Sequence, residues 1–135
     1  MPLETFAGTW IFDQEHSQLN SPPPLHWVQR VSTDHGRIRV TEEITRSTGL
    51  TKVEVDAAPN GEFYPVSGSP IADEISYSIE GTKINGIGRK GGIVSLRETL
   101  ASPAPDLMTV SLSVLVNGKE VPLGVAYFRR HDDPS

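Results

Sequence analysis

Apolar and polar residues alternate along most of this chain, and turn-forming residues interrupt the alternation roughly every 8 to 12 residues. A period of two puts successive side chains on opposite faces of a strand. It predicts strands at Thr9 to Asp13, His26 to Thr33, Arg37 to Arg46, Leu50 to Ala57, Glu62 to Val66, Glu74 to Glu80, Thr82 to Arg89, Ile93 to Leu100, Leu107 to Val116 and Pro122 to Arg130. Helical periodicity is nearly absent. The breaks "DHG", "STG", "PNG", "EGT", "KGG" and "VNGKE" supply the positive φ angles of tight hairpins. Short connections make sequential strands antiparallel neighbours, and closing such a meander removes its exposed edges. The expectation is one all-β domain over residues 1–135: an up-and-down antiparallel barrel of about 8 to 10 strands with an internal cavity. Two longer connections are read as loops. They are "EHSQLNSPPPL", where three prolines forbid a helix interior, and "SGSPIAD".

The apolar phase of each strand names the barrel interior. It contains Ile38, Val40 and Ile44; Val53 and Val55; Ile75, Tyr77 and Ile79; Val94, Leu96 and Leu100; Met108, Val110, Leu112, Val114 and Val116; and Leu123, Val125, Tyr127 and Arg129. Two glutamates interrupt these rows, Glu42 in "RIRVTEEITR" and Glu98 in "IVSLRETL". A carboxylate in an apolar phase is expensive unless it meets water, a partner or a ligand. One reading places each at the rim, or paired with Arg97, Arg129 or Arg30. The other makes them the polar groups of a binding cavity, acting as acid and base if the protein is an enzyme. Tyr77, Tyr127, Tyr64, Trp27, His26, Met108 and Leu112 are then the expected ligand contacts, with His26 and Trp27 near the mouth. In "TKINGIGRKGG", Gly86 and Gly88 share a face, so that wall either leaves room for a ligand or bends to close the barrel.

Charge and composition narrow the partners. A net charge of −5 spread over 135 residues, without a basic run, argues against nucleic acid. There are no cysteines, so disulfides and thiolate nucleophiles are excluded. The segment "MPLETFAGTW" has neither the basic nor the apolar region of a secretory leader, and no run approaches a membrane helix, so a cytoplasmic protein without a membrane partner is expected, as monomer or homodimer. His16, His26, His35 and His131 have no zinc-site spacing, and "GIGRKGG" lacks the following helix of a phosphate loop. Neither metal nor cofactor is expected.

Several stretches resemble a known group. "FAGTWIFD" resembles the Gly-x-Trp signature at the first strand of lipocalins and related small barrels. The order that follows is similar to small bacterial lipocalin-like (calycin-type) proteins: "HSQLNSPPPL", then "NGEFYPVSGSPIADEISY", a "KGG" hairpin and a final "VAYFRR". The resemblance implies a barrel with an internal cavity whose closed end is plugged by Trp10. The chain departs from lipocalins proper in lacking a C-terminal helix and a disulfide. It departs from fatty-acid-binding proteins in lacking room for a helical lid, and in having Val125 where their terminal Arg-x-Tyr carries arginine.

Two functions fit this reading. The first is a binding protein for a small, largely apolar or amphipathic molecule. The second is a cofactor-free enzyme of specialised metabolism, a cyclase, isomerase or epoxide-opening catalyst, in which burial raises a carboxyl pKa toward neutrality. Convergence of Glu42 and Glu98 inside the barrel is the feature that would separate them. An interaction module using the barrel exterior is a weaker third option.

Overall fold

The alternating pattern closes into a ring. The computed structural model describes residues 3–131. In it a short 3-10 turn (Leu3–Phe6) leads into ten strands: β1 (Gly8–Leu19), β2 (His26–Ser32), β3 (Ile38–Arg46), β4 (Gly49–Ala57), β5 (Phe63–Ser67), β6 (Glu74–Glu80), β7 (Lys83–Lys90), β8 (Ile93–Ala104), β9 (Leu107–Val116) and β10 (Lys119–His131). Each pairs antiparallel with its sequence neighbour, and β1 pairs with β10 to complete a closed barrel. Turns carry the reversals: Asn117, at φ 53, and Gly118, at φ 76, form the β9–β10 hairpin in the left-handed region favoured by such pairs.

The closed end is a dry aromatic and aliphatic plug. Trp10 and Phe6 are fully buried, and the Trp10 indole donates to the Phe6 carbonyl at 2.9 Å. The Arg130 guanidinium lies 4.3 Å from the Trp10 ring, and it also donates to the Ala7 and Thr5 carbonyls, tying the last strand to the N-terminal turn. Phe12, Trp27 and Phe128 form an aromatic cluster above this plug, with ring centroids 4.9 to 5.9 Å apart. The role expected of Trp10 is the one it has.

Bulges account for the places where the simple alternation misleads. Between Pro122 and Gly124 the β9–β10 register shifts by one residue. Leu123 faces the interior, but beyond it the phase reverses, so Ala126 and Phe128 are buried where Val125, Tyr127 and Arg129 were expected. Gly124 makes this possible: its φ is +113°, and a β-carbon there would lie 2.0 Å from the Gln18 carbonyl oxygen. A second irregularity, between Asp13 and Gln18, lets β1 run on to Leu19. The segment from Glu15 to Leu19, expected as loop, is strand, and only Asn20 to Leu25 leave the sheet.

Candidate functional site

Opposite the Trp10 plug the barrel is hollow. A cavity of about 230 Å³ is lined by apolar residues, among them Val40, Ile44, Val53, Val55, Ile75, Leu96, Leu100, Val110 and Leu112. Leu19, Ser21, Pro22, Arg46, Ser69, Pro70 and Ile71 line it as well, the serine and proline residues of the two long connections forming its rim. Arg46 donates to the Pro22 carbonyl at 3.0 Å. The volume is below the usual range of about 300 to 1,000 Å³ for ligand pockets, so an occupant is small.

Glu42 and Glu98 both face this space, with Tyr77, Trp27 and Gln29. The β2–β3 register sets Gln29 beside Glu42 and Trp27 beside Ile44. From there the Trp27 Nε1 and Gln29 Nε2 groups both donate to Glu42 Oε1, at 2.8 Å each. On the other wall Tyr77, Gly86 and Glu98 occupy one cross-strand row of β6, β7 and β8. A β-carbon on Gly86 would lie 2.9 Å from Glu98 Cγ, 3.1 Å from Glu98 Oε1 and 3.2 Å from Tyr77 Cε1. The missing side chain at Gly86 is thus space that the glutamate and tyrosine occupy. Gly88 plays the same part for Ala72 and Leu96, and the β7–β8 register shifts just beyond it. Of the two expectations for these glycines, the structure favours the bend: the register shifts at this wall, and the freed volume goes to neighbouring side chains instead of to a ligand.

These surroundings separate the two carboxyls. Burial raises the pKa of Glu42 above the ordinary carboxylate value, while the N–H donors from Trp27 and Gln29 favour its ionised form. Among the described residues Glu98 has no such donors: burial, and then the charge of Glu42, push its carboxyl up to about 8. Glu98 therefore holds a proton at neutral pH. Tyr77 is raised well above its usual value by burial, and further by Glu98 and Glu42, so it stays a neutral hydroxyl. Glu98 is enclosed by protein yet keeps surface on the cavity. The arginines considered as partners are engaged elsewhere: Arg30 with Glu43, Arg97 with Glu120 and Arg129 with Asp13.

The other sequence-derived candidates divide. Leu112 lines the cavity. Trp27 also lines it, but sits within the aromatic cluster holding Glu42 and not at the mouth. Met108 is fully buried in the packed core and does not line the cavity. Tyr64 packs against the core, its hydroxyl accepting from Asn60 at 2.8 Å and its ring under Arg37, away from the cavity. His26 is exposed, because inward-facing Trp27 puts its neighbour outside. Tyr127 is displaced by the β10 bulge. Gln29 was missed, although it interrupts the Trp27–Val31 apolar phase just as Glu42 interrupts its own. Asp13, Glu15 and His16 place one potential metal-ligating atom each within 4.8 Å of one another on the exterior, a grouping created by the β1 bulge. The Asp13 carboxylate there is already bonded by His16 at 2.7 Å and Arg129 at 3.0 Å.

A closed antiparallel barrel of ten strands, plugged by Trp10 and hollow at the other end, is a lipocalin-like fold. Among solved structures, the fluorescent protein UnaG, crystallised as a single-site mutant, shares it. The likeness covers 96% of this chain and 98% of that one, with a TM-score of 0.67 at 15% sequence identity, which is a likeness of fold. No protein-family model matches the chain, and no curated protein matches it. Among the described residues, no helix is long and apolar enough to cross a membrane.

Proposed function

We propose that this barrel binds a small, largely apolar molecule in its cavity, with Glu42, Glu98 and Tyr77 meeting the polar end. The observation that carries the reading is the combination of apolar walls with polar groups that protein leaves unsatisfied. Glu42 Oε1 takes both donors, from Trp27 and Gln29, and among the described residues its second oxygen has none. Apolar pockets with a few convergent polar groups are how small-molecule sites are built. Leu112 and Val53 supply apolar contact on facing walls.

The test is a titration with 2-naphthol and with n-octanol, followed by tryptophan fluorescence, on the wild-type protein and on Leu112→Trp. Binding to the wild type that is lost when the larger side chain fills the cavity supports the reading. Binding that survives Leu112→Trp places the ligand elsewhere and overturns it.

One observation favours a second reading, cofactor-free acid–base catalysis. Two carboxyls share one enclosed cavity in unlike surroundings: Glu42 receives two N–H donors that favour its ionised form, and Glu98 receives none among the described residues, the kind of difference an acid and a base require. A carrier gains nothing from that arrangement, and pays for it in stability. Under simple binding, Glu42→Gln and Glu98→Gln give modest, additive losses of affinity. Under catalysis Glu42→Gln alone removes most of the activity.

A further inference from the structure

Three polar groups in the cavity are left for a ligand: the second oxygen of Glu42, the Glu98 carboxyl and the Tyr77 hydroxyl. Among the described residues none of them has a protein hydrogen-bond partner, and none is sealed away from the cavity. Their placement is directional. Glu42 stands on β3; Tyr77 and Glu98 stand together on β6 and β8, leaning into the space above Gly86. In the ring, β8 lies five strands from β3 in either direction, so Glu98 and Glu42 project from opposite walls. Anything filling the apolar space between them meets two hydroxyl donors on one side and a carboxylate on the other.

That polarity selects the chemistry of the occupant. A carboxylate ligand would meet the charge of Glu42. An ammonium ligand would leave the Tyr77 hydroxyl without an acceptor. A carbonyl oxygen accepts two hydrogen bonds at once, and the carbon beside it carries the acidic hydrogen a carboxylate can remove. We propose that the barrel holds a small apolar carbonyl compound, with Tyr77 and Glu98 donating to its oxygen and Glu42 moving a proton at the adjacent carbon. The proposal rests on the small-molecule reading above and gives it a substrate class.

The step balances within the site. Glu42 takes the proton from the α-carbon, and the C–H electron pair becomes a double bond to the carbonyl carbon. The carbonyl π pair moves onto oxygen, where hydrogen bonds from Tyr77 and Glu98 hold the developing charge. In a β,γ-unsaturated ketone Glu42 returns the proton to the γ-carbon, the carbonyl re-forms and the double bond ends in conjugation. No electrons are gained or lost. A carboxylic acid kept neutral by an apolar site is a known device for donating such a hydrogen bond. The titratable groups facing Glu98 are Tyr77 from β6 and Glu42 from β3; β7 presents Gly86, β9 presents Val110 and Leu112, and Arg46 is the charged residue farther out on β3. Glu98 donates only while protonated, up to about pH 8.

The experiment measures isomerisation of cyclohex-3-enone to cyclohex-2-enone by ultraviolet absorbance, alongside 2-naphthol binding, with each variant checked by circular dichroism. The wild type should accelerate the conversion and lose rate above about pH 8. Glu42→Gln should lose at least about 100-fold, and Glu42→Asp, which keeps a carboxylate set further back, should retain part of the rate. Tyr77→Phe should lose about 100-fold. Glu98→Gln keeps an N–H donor, so it should hold much of the neutral-pH rate and lose the alkaline fall. Naphthol binding without acceleration would overturn the carbonyl proposal and leave the binding reading intact; no naphthol binding would remove both. Acceleration that Glu42→Gln or Tyr77→Phe leaves untouched would also overturn it.

Discussion

Glu42 and Glu98 face one another across the lumen from β3 and β8, strands that are diametrically placed in the ring, and among the described residues only Glu42 receives N–H donors. The consequence for stability follows from the proton on Glu98. Its carboxyl titrates near 8 in the fold, against an ordinary value of 4.5. Stability linked to this proton is fully present below about pH 4.5, is lost as pH rises toward about 8, and is level beyond. Glu98→Gln removes the linkage. Its melting temperature should match wild type in mild acid and exceed it by a margin that widens up to about pH 8. Melting curves across that range decide the matter, and a constant margin would mean that Glu98 does not titrate as described.

Gly86→Ala tests the packing that sets the two donors. Its backbone does not need glycine, but the new methyl group would press on Glu98 Cγ and the Tyr77 ring. Overpacking of this kind costs about 1 to 3 kcal/mol. Denaturant unfolding should show that loss, together with weaker 2-naphthol binding. A neutral result would mean that Glu98 and Tyr77 turn away at no expense.

Glu42 and its neighbour Glu43 give the sharpest contrast between the two faces of one strand. Glu43 is outside, 3.3 Å from exposed Arg30, and Glu43→Gln should change stability by less than about 0.5 kcal/mol. Glu42→Gln should stabilise the empty barrel at neutral pH, since it removes a buried carboxyl of raised pKa, and should weaken ligand binding. Equilibrium unfolding and fluorescence titration of both variants would reveal a reversed order.

The two tryptophans should respond differently. Trp10→Ala removes the plug of the closed end and should cost about 3 to 5 kcal/mol. Trp27→Phe preserves much of the packing with Phe12 and Phe128 but deletes a donor to Glu42, so the pKa of Glu42 should rise further. Infrared titration of the carboxyl would read that rise. Trp27 fluorescence should report ligand while that of Trp10 stays nearly constant.

The sequence made Glu42 and Glu98 visible because a charged residue in an apolar phase has few structural excuses. Gln29 obeyed the same rule and was passed over, since a neutral amide draws less notice than a carboxylate. The rule failed at Tyr127 because Leu123 is an extra residue in β10: a bulge depends on pairing with a partner strand, and local alternation does not record it. The same limitation hid the continuation of β1 through His16 and Ser17, polar residues that read as loop until the hydrogen bond from the Tyr127 amide to the Ser17 hydroxyl is known. Closure itself, Thr9 opposite His131, joins residues more than a hundred positions apart.

A hoop is no stronger than its shortest joint. β4 and β5 meet through the pairs Glu54–Ser67 and Val55–Val66 alone, whereas β3 and β4 match along nine residues. This joint borders the hollow half of the molecule, through Val55 and Val66, and leads into the Ser69–Ala72 rim. Few interstrand hydrogen bonds need break for the wall to part there, so backbone amides of β5 should exchange with deuterium before those of β3 or β9. The ring therefore has a direction of give, located beside the two carboxyls' chamber and remote from the Trp10 plug.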